Sequence, residues 1–293
     1  MLLFTIAALA GTGCRRPPAR VARVGESVIT REDVRYREAV LAIRSGAEAT
    51  APQALVQLLE EAMMREAGRT HGVAVTPADL AAEAARVRTT SRDPETLARV
   101  RAVFGGEEGA YRRLVLEPVL VNQRLYAAFD ASREIQAAPL ARARELLAAA
   151  LAPGASLAAL ATRFGAELRT FDIAGGQVRP LDAPAGTPPN FPAALPGGIP
   201  DRDALTALLA GLAVGRVHPE VVEERGAFMV VRLLRRDGDR ARLEAAVVAK
   251  LPFDPWFEAT ARAMPVRFED AKAAAELRGV ALPRYLAERL PQL

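Results

Sequence analysis

The stretch GAFMVVRLLRRDG, Gly226 to Gly238, decides the reading of the second half of this chain. Apolar residues broken only by one arginine run from a glycine to an abrupt polar stop, the form of a buried strand with Arg235–Arg236–Asp237–Gly238 as its turn. Working outward, DALTALLAGLAVGRVHPEVV upstream reads as a helix, a glycine turn and a strand. ELRTFDI alternates as a strand does, and SLAALATRFG is a short helix capped by Ser156 and closed by Gly165. LARARELLAAALAPGA is a helix ended by Pro153–Gly154, and REIQAAP before it is a strand candidate. Residues 174–200 carry many glycines and prolines without periodicity and read as loop. Helix, loop and strand in one compact stretch, residues 131–238, define an α+β domain with a short β-sheet flanked by helices.

Residues 30–130 have the helical period instead. Thr30 with Asp33 matches the capping-box pattern, and VARVGESVIT before it reads as a hairpin turning at Gly25–Glu26. Pro52 opens a helix in which Leu55, Leu58, Leu59, Ala62 and Met63 share one face; Gly72 stops it, and Thr76–Pro77 starts the next. The tail, 239–293, reads as Pro-interrupted helices with apolar Leu243, Val247, Trp256, Phe257, Leu277 and Leu286.

The chain has 293 residues, enough for two or three compact units. Its formal charge of +4 comes from 39 basic and 35 acidic residues that are interspersed, so no basic face for nucleic acid is visible. The N-terminus MLLFTIAALAGTGCRRPP places a short apolar run, Leu2 to Ala10, before small residues and the sole cysteine, Cys14. That run falls short of the ~20 residues of a membrane-spanning helix but suits an export signal. It resembles a bacterial lipoprotein signal: residues 1–13 would be removed, Cys14 would carry the lipid, and 14–20 would tether a folded body to a membrane.

VARVGESVITREDV, ALVQLLEEAMMREAGRTHGVAVTPADLAAEAARV, ARELLAAALAPGASLAALATRFG and LLAGLAVGRVHPEVVEERGAFMVVRLL occur in the order of a known family. Over about 21–240 the chain resembles the SurA/PrsA-like periplasmic foldases, which join a helical chaperone region to a parvulin-type (PpiC) peptidyl-prolyl isomerase domain. The resemblance implies a helical chaperone region at 21–130, completed by the helical tail 239–293, and a parvulin-like domain at 131–238. Parvulins hold two hydrogen-bonded histidines, one on the first strand and one on the last. Aligned through ARELL and VVRL, those positions are Glu134 and Met229 here. Neither can form the pair.

The two histidines of the chain fall elsewhere: His71 closes a helix, and His218 follows the Gly215 turn. One cysteine and two distant histidines give no metal-ligand spacing, and nucleophile-elbow and phosphate-loop motifs do not occur. No cofactor is implied. Rotation about an X-Pro bond faces about 18–20 kcal/mol and needs only a pocket that favours the twisted amide, so losing the histidines weakens isomerase activity without forbidding it.

The leading expectation is an exported, lipid-anchored chaperone of the periplasm or cell envelope. Its partners would be unfolded or extended segments of secreted or outer-membrane proteins, with Phe191, Phe228 and Met229 as peptide-binding candidates. An active isomerase with a divergent site, and an assembly factor for one envelope complex, are the alternatives.

Overall fold

The computed structural model describes residues 19–174, 177–181, 211–238 and 240–290. The chain is α+β and divides into two compact units: Met1–Asn122 with Thr260–Leu293, and Gln123–Ala259. Cys14 and Phe191 lie outside the described residues.

The first unit opens with the antiparallel hairpin β1 (Arg20–Val24) and β2 (Ser27–Thr30), turning at Gly25. Gly25 has φ +55°, which favours glycine, and a Cβ there would sit 2.5 Å from Glu66 Oε2, so Glu66 would have to move to admit one. Glu66 comes this close because its Oε1 accepts hydrogen bonds from Glu26 N (3.2 Å) and Ser27 Oγ (3.0 Å). Helices α1 (Arg31–Ser45), α2 (Ala51–Thr70) and α3 (Pro77–Thr90) each begin with a complete capping box, at Thr30/Asp33, Thr50/Gln53 and Thr76/Asp79. On α2 the residues Leu55, Leu58, Leu59, Ala62 and Met63 are all buried, as their spacing requires. Helix α4 (Pro94–Val103) and the short α5 (Glu108–Tyr111) follow; a π-helical turn, Arg112–Leu116, then leads into α6 (Glu117–Ala131).

The second unit contains α7 (Ala137–Ala150), α8 (Leu157–Phe164) and five antiparallel strands: β3 (Glu167–Ala174), β4 (Gln177–Pro180), β5 (Val222–Glu224), β6 (Ala227–Asp237) and β7 (Arg240–Ala249). Their order across the sheet is β4-β3-β7-β6-β5. Alternate residues of a strand point to opposite faces. Phe228, Val230, Ala246 and Val248 pack with Leu146, Leu157 and Ala161 of α7 and α8. Ala227, Met229, Val231, Leu233, Leu243 and Val247 form the core of the other face with Phe171 and Leu212. Burial on both faces explains why the opening stretch reads as an almost unbroken apolar run.

The tail returns through α9 (Phe253–Ala263), β8 (Val266–Phe268), α10 (Ala271–Glu276) and α11 (Arg284–Ala287). Strand β8 pairs with β1, giving the three-stranded order β2-β1-β8 in the first unit.

Three expectations are corrected. Residues 239–293 do not form a purely helical tail: 240–249 are the central strand β7, and the second unit runs past 238 to Ala259. Leu243 and Val247 are four apart and fit a helix face, but with alanines at 245 and 246 the same residues also satisfy period two. Alanine decides for neither, and the β-branched Val247–Val248 fit the twice-buried strand. REIQAAP is not a strand: 133–136 are the turn between α6 and α7, and Ala137–Pro139 begin α7. Ile135 is the sole β-branched residue of the stretch, and the buried Gln136 clamps the turn, donating to Phe129 O (3.4 Å) and accepting from Leu251 N (2.8 Å). Finally, Arg235–Arg236–Asp237 continue β6 rather than forming its turn, and Gly238 after them has φ +57°.

Candidate functional site

An open cleft of about 240 Å³ lies in the first unit, between β1, α1, the start of α2 and α10. Val21, Val34, Ala51, Pro52, Leu55 and Ala273 make its apolar surface. Arg31, Arg35, Glu38, Asp270, Lys272 and Glu276 complete its wall with both signs of charge. The α10 side is fixed by Asp270, the N-cap of that helix, which accepts from Lys272 N (3.1 Å) and Ala273 N (3.3 Å). Arg31 Nη2 at the start of α1 donates to Asp270 Oδ2 at 2.7 Å, tying two walls of the cleft together. Burial pushes the Asp270 carboxyl up, but the hydrogen bonds from Ala273 N, Arg31 and Lys272 N together outweigh it and hold the group below its ordinary value.

The stripe of α1 next to the cleft is anchored in the opposite sense, by burial. Arg37 Nη2 donates to Glu61 Oε2 (2.6 Å) and to Leu114 O in the π-helical turn, while Arg113 Nη2 donates to Asp33 Oδ1 (2.7 Å). A π-turn displaces carbonyls from their regular partners, and Arg37 supplies one replacement. Its Nε is buried with no partner. Burial lifts Glu61 to about 7 despite the neighbouring Arg37 and Arg65, and burial likewise lowers the Arg37 guanidinium from its ordinary value. The pair holds α1, α2 and the π-turn together at a desolvation cost.

The cleft contains no nucleophile–base pair. Its volume is below the roughly 300–1,000 Å³ of small-molecule pockets. An apolar floor beneath a rim of mixed charge suits a few aliphatic side chains of an extended segment with little demand on sequence.

The residues singled out from sequence are not brought together. Glu134 sits exposed in the α6–α7 turn. Met229, 1% exposed, lies mid-sheet, flanked in register by Val247 of β7 and Val222 of β5. No hydrogen-bonded pair can span those partners. Phe228, also 1% exposed, faces α7 and α8 on the opposite side from Met229, so the two cannot line one groove. The buried ion on the Met229 face is Arg169, two residues before Phe171 on β3, whose Nη2 donates to Glu167 Oε2 (2.7 Å). His71 occupies the C-cap of α2, and His218 Nδ1 accepts from Glu220 N (3.2 Å).

Sequence reasoning marked Leu55 only as core and passed over Val34 and Ala273. The signal that locates α10 is Asp270 as an N-cap before an alanine run; nothing local links it to Arg31, 239 positions away. Among the described residues no His/Cys/Asp/Glu group could hold a metal ion, and no helix is long and apolar enough to cross a membrane.

No protein-family model matches the chain, and no curated protein matches it. Among solved structures, one similar chain comes from the pair PEB4, a virulence factor, and Cj1289, a periplasmic protein, structurally related SurA-like chaperones of Campylobacter jejuni. It is 12% identical, with 85% of this chain and 98% of that chain covered and a TM-score of 0.27. A likeness that low carries no argument about activity.

Proposed function

We propose that this protein is an exported chaperone of the cell envelope, lipid-anchored through Cys14, whose first unit holds unfolded or extended segments of client proteins. The observation that carries the reading is the cleft between α1, α2 and α10, with an apolar floor and a rim of both charges. Such a surface binds weakly and tolerantly, since an extended client loses ordering entropy on capture. Val222 and Val247 on either side of Met229 support a second unit with weak or no prolyl isomerase activity.

The test is suppression of aggregation of a chemically denatured client, followed by light scattering. Wild type is expected to suppress it. Val34→Asp with Ala51→Asp is expected to remove most of the effect while leaving the fold intact, because an acidic residue at the first position of α2 favours that helix. Full protection by the double variant would overturn the reading. So would acceleration of X-Pro turnover without any holding activity, or capture of one stoichiometric partner by a protein inert towards generic clients. Labelled palmitate on wild type and none on Cys14→Ala is the expected result for the anchor.

A further inference from the structure

The cleft between α1, α2 and α10 carries Arg31, Arg35 and Lys272 against Glu38, Asp270 and Glu276, but these charges do not pair off. Arg31 is bonded to Asp270 at 2.7 Å, and Lys272 is drawn to Glu276, one turn along α10, at 3.8 Å. Arg35 turns back toward the start of α1. Its Nη2 donates to Glu32 Oε1 (3.1 Å), and its guanidinium carbon lies 5.5 Å from the centre of the Tyr36 ring. That leaves Glu38, half-buried in the wall of the cleft. Among the described residues its carboxylate has no hydrogen bond and no ion pair.

Helical spacing relates this carboxylate to the apolar floor. Arg31, Val34, Arg35 and Glu38 stand at i, i+3, i+4 and i+7, one stripe of α1. From Val34 to Glu38 the helix advances about 6 Å. Side chains on one face of an extended segment recur about every 6.6 Å. A segment lying along α1 with an aliphatic side chain against Val34, Pro52 and Leu55 therefore brings the residue two positions away to Glu38. An apolar group at that point would strip water from a carboxylate that has nothing else to satisfy it. An ammonium or guanidinium would replace the lost water with a charge-assisted hydrogen bond.

We propose that the cleft prefers client segments in which a lysine or arginine stands two residues from an aliphatic side chain, and that Glu38 sets this preference. The inference rests on the chaperone reading of the cleft and adds the class of segment it takes. A partly exposed ion pair supplies a bias of about fivefold rather than a requirement, so binding stays tolerant.

The probe is a labelled peptide that reads alike in both directions, Ser-Lys-Ser-Leu-Ser-Lys-Ser, compared by fluorescence anisotropy with the same peptide carrying glutamate for both lysines. Wild type is expected to bind the lysine peptide about fivefold more tightly, with the difference shrinking at about 0.5 M salt. Glu38→Gln should make the two peptides equal, and Glu38→Lys should favour the glutamate peptide. A residue with a merely structural role would weaken both alike. Val34→Asp with Ala51→Asp should bind neither, and circular dichroism checks the fold of each variant. Moving both lysines next to the leucine should lose most of the gain; retention of the full gain would refute the spacing. Wild type that holds a denatured client in light scattering yet does not prefer the lysine peptide would overturn this inference alone, as would a preference unchanged in Glu38→Gln. Failure of wild type both to bind the peptides and to hold the client would take the chaperone reading down with it. Self-association of wild type that Glu38→Lys abolishes would assign the cleft to a second copy of the chain and so overturn the inference.

Discussion

Lys250 offers the sharpest test of what holds the second unit together. Its side chain is 2% exposed. Nζ donates to Asp130 O (2.8 Å) and Asp130 Oδ2 (2.9 Å) at the end of α6, and to Glu223 Oε1 (3.1 Å) on β5, and lies 5.0 Å from the centre of the Phe228 ring. Asp130 Oδ1 also accepts from Gly226 N at 2.8 Å, in the turn that starts β6. One ammonium therefore joins a helix end, an edge strand and the last residue pair of the central hairpin. Lys250→Met keeps the stem and removes the charge. Breaking a buried pair from one side costs about 3–5 kcal/mol because the partner is left uncompensated. Asp130, 15% exposed, bears nearly all of that penalty, while Glu223, 40% exposed, is screened by water and adds little. About 3 kcal/mol is the expected loss. The sole tryptophan, Trp256, packs on Phe129 at 4.9 Å between ring centres, so its fluorescence reports this unit. With an m-value of about 1.5–2 kcal/mol/M, the urea midpoint should fall by about 1.5–2 M. Adding Asp130→Asn should recover part of the loss, since it removes the orphaned charge and keeps the acceptor for Gly226 N. A midpoint change under about 0.5 M, or a double variant weaker by the full sum of the singles, would refute this account.

Two further outcomes concern the first unit. Glu61 is held near 7 when folded and titrates near its ordinary 4.5 when unfolded, so the folded state takes up the proton more readily. The stabilisation is fully present below about 4.5 and is lost as pH rises through 7, so acidification from pH 8 to pH 5 should stabilise this unit by at most about 3 kcal/mol. Glu61→Gln should flatten that part of the profile in thermal melts taken across the range. Gly25→Ala combines a left-handed backbone position with a Cβ against Glu66, and is expected to cost more than the roughly 1 kcal/mol of the backbone term alone. Adding Glu66→Ala should return only the steric part, measurable as a coupling in chemical denaturation.

What could be read from the chain without coordinates was whatever its neighbours in sequence decide. Thr30 with Asp33 and Thr76 with Asp79 cap helices through bonds three residues apart, and the α2 stripe from Leu55 to Met63 repeats within two turns. Strand β7 was hidden because alanine lets Leu243 and Val247 satisfy two periods at once, and burial on both faces of the sheet, which a single strand does not display, settles the choice. Glu134 follows from an expected first strand beside the last one; the structure puts β7 in that place and turns 133–136 into a helix connection. The cleft was hidden more deeply, since Arg31 and Asp270 meet only after the tail returns to β1.

The strand order sets a timetable. In the five-stranded sheet, β7 lies between β3 and β6, and it is the last of the five to be synthesised. In the first unit, β1 waits for β8, its partner from residues 266–268. A chain delivered from its N-terminus thus cannot close either sheet until most of its length has emerged, and β3 and β6 stand unpaired along the flanks that β7 will join. For the interval before residue 249 arrives, this protein presents the same exposed strand edges and apolar faces as an unfinished polypeptide.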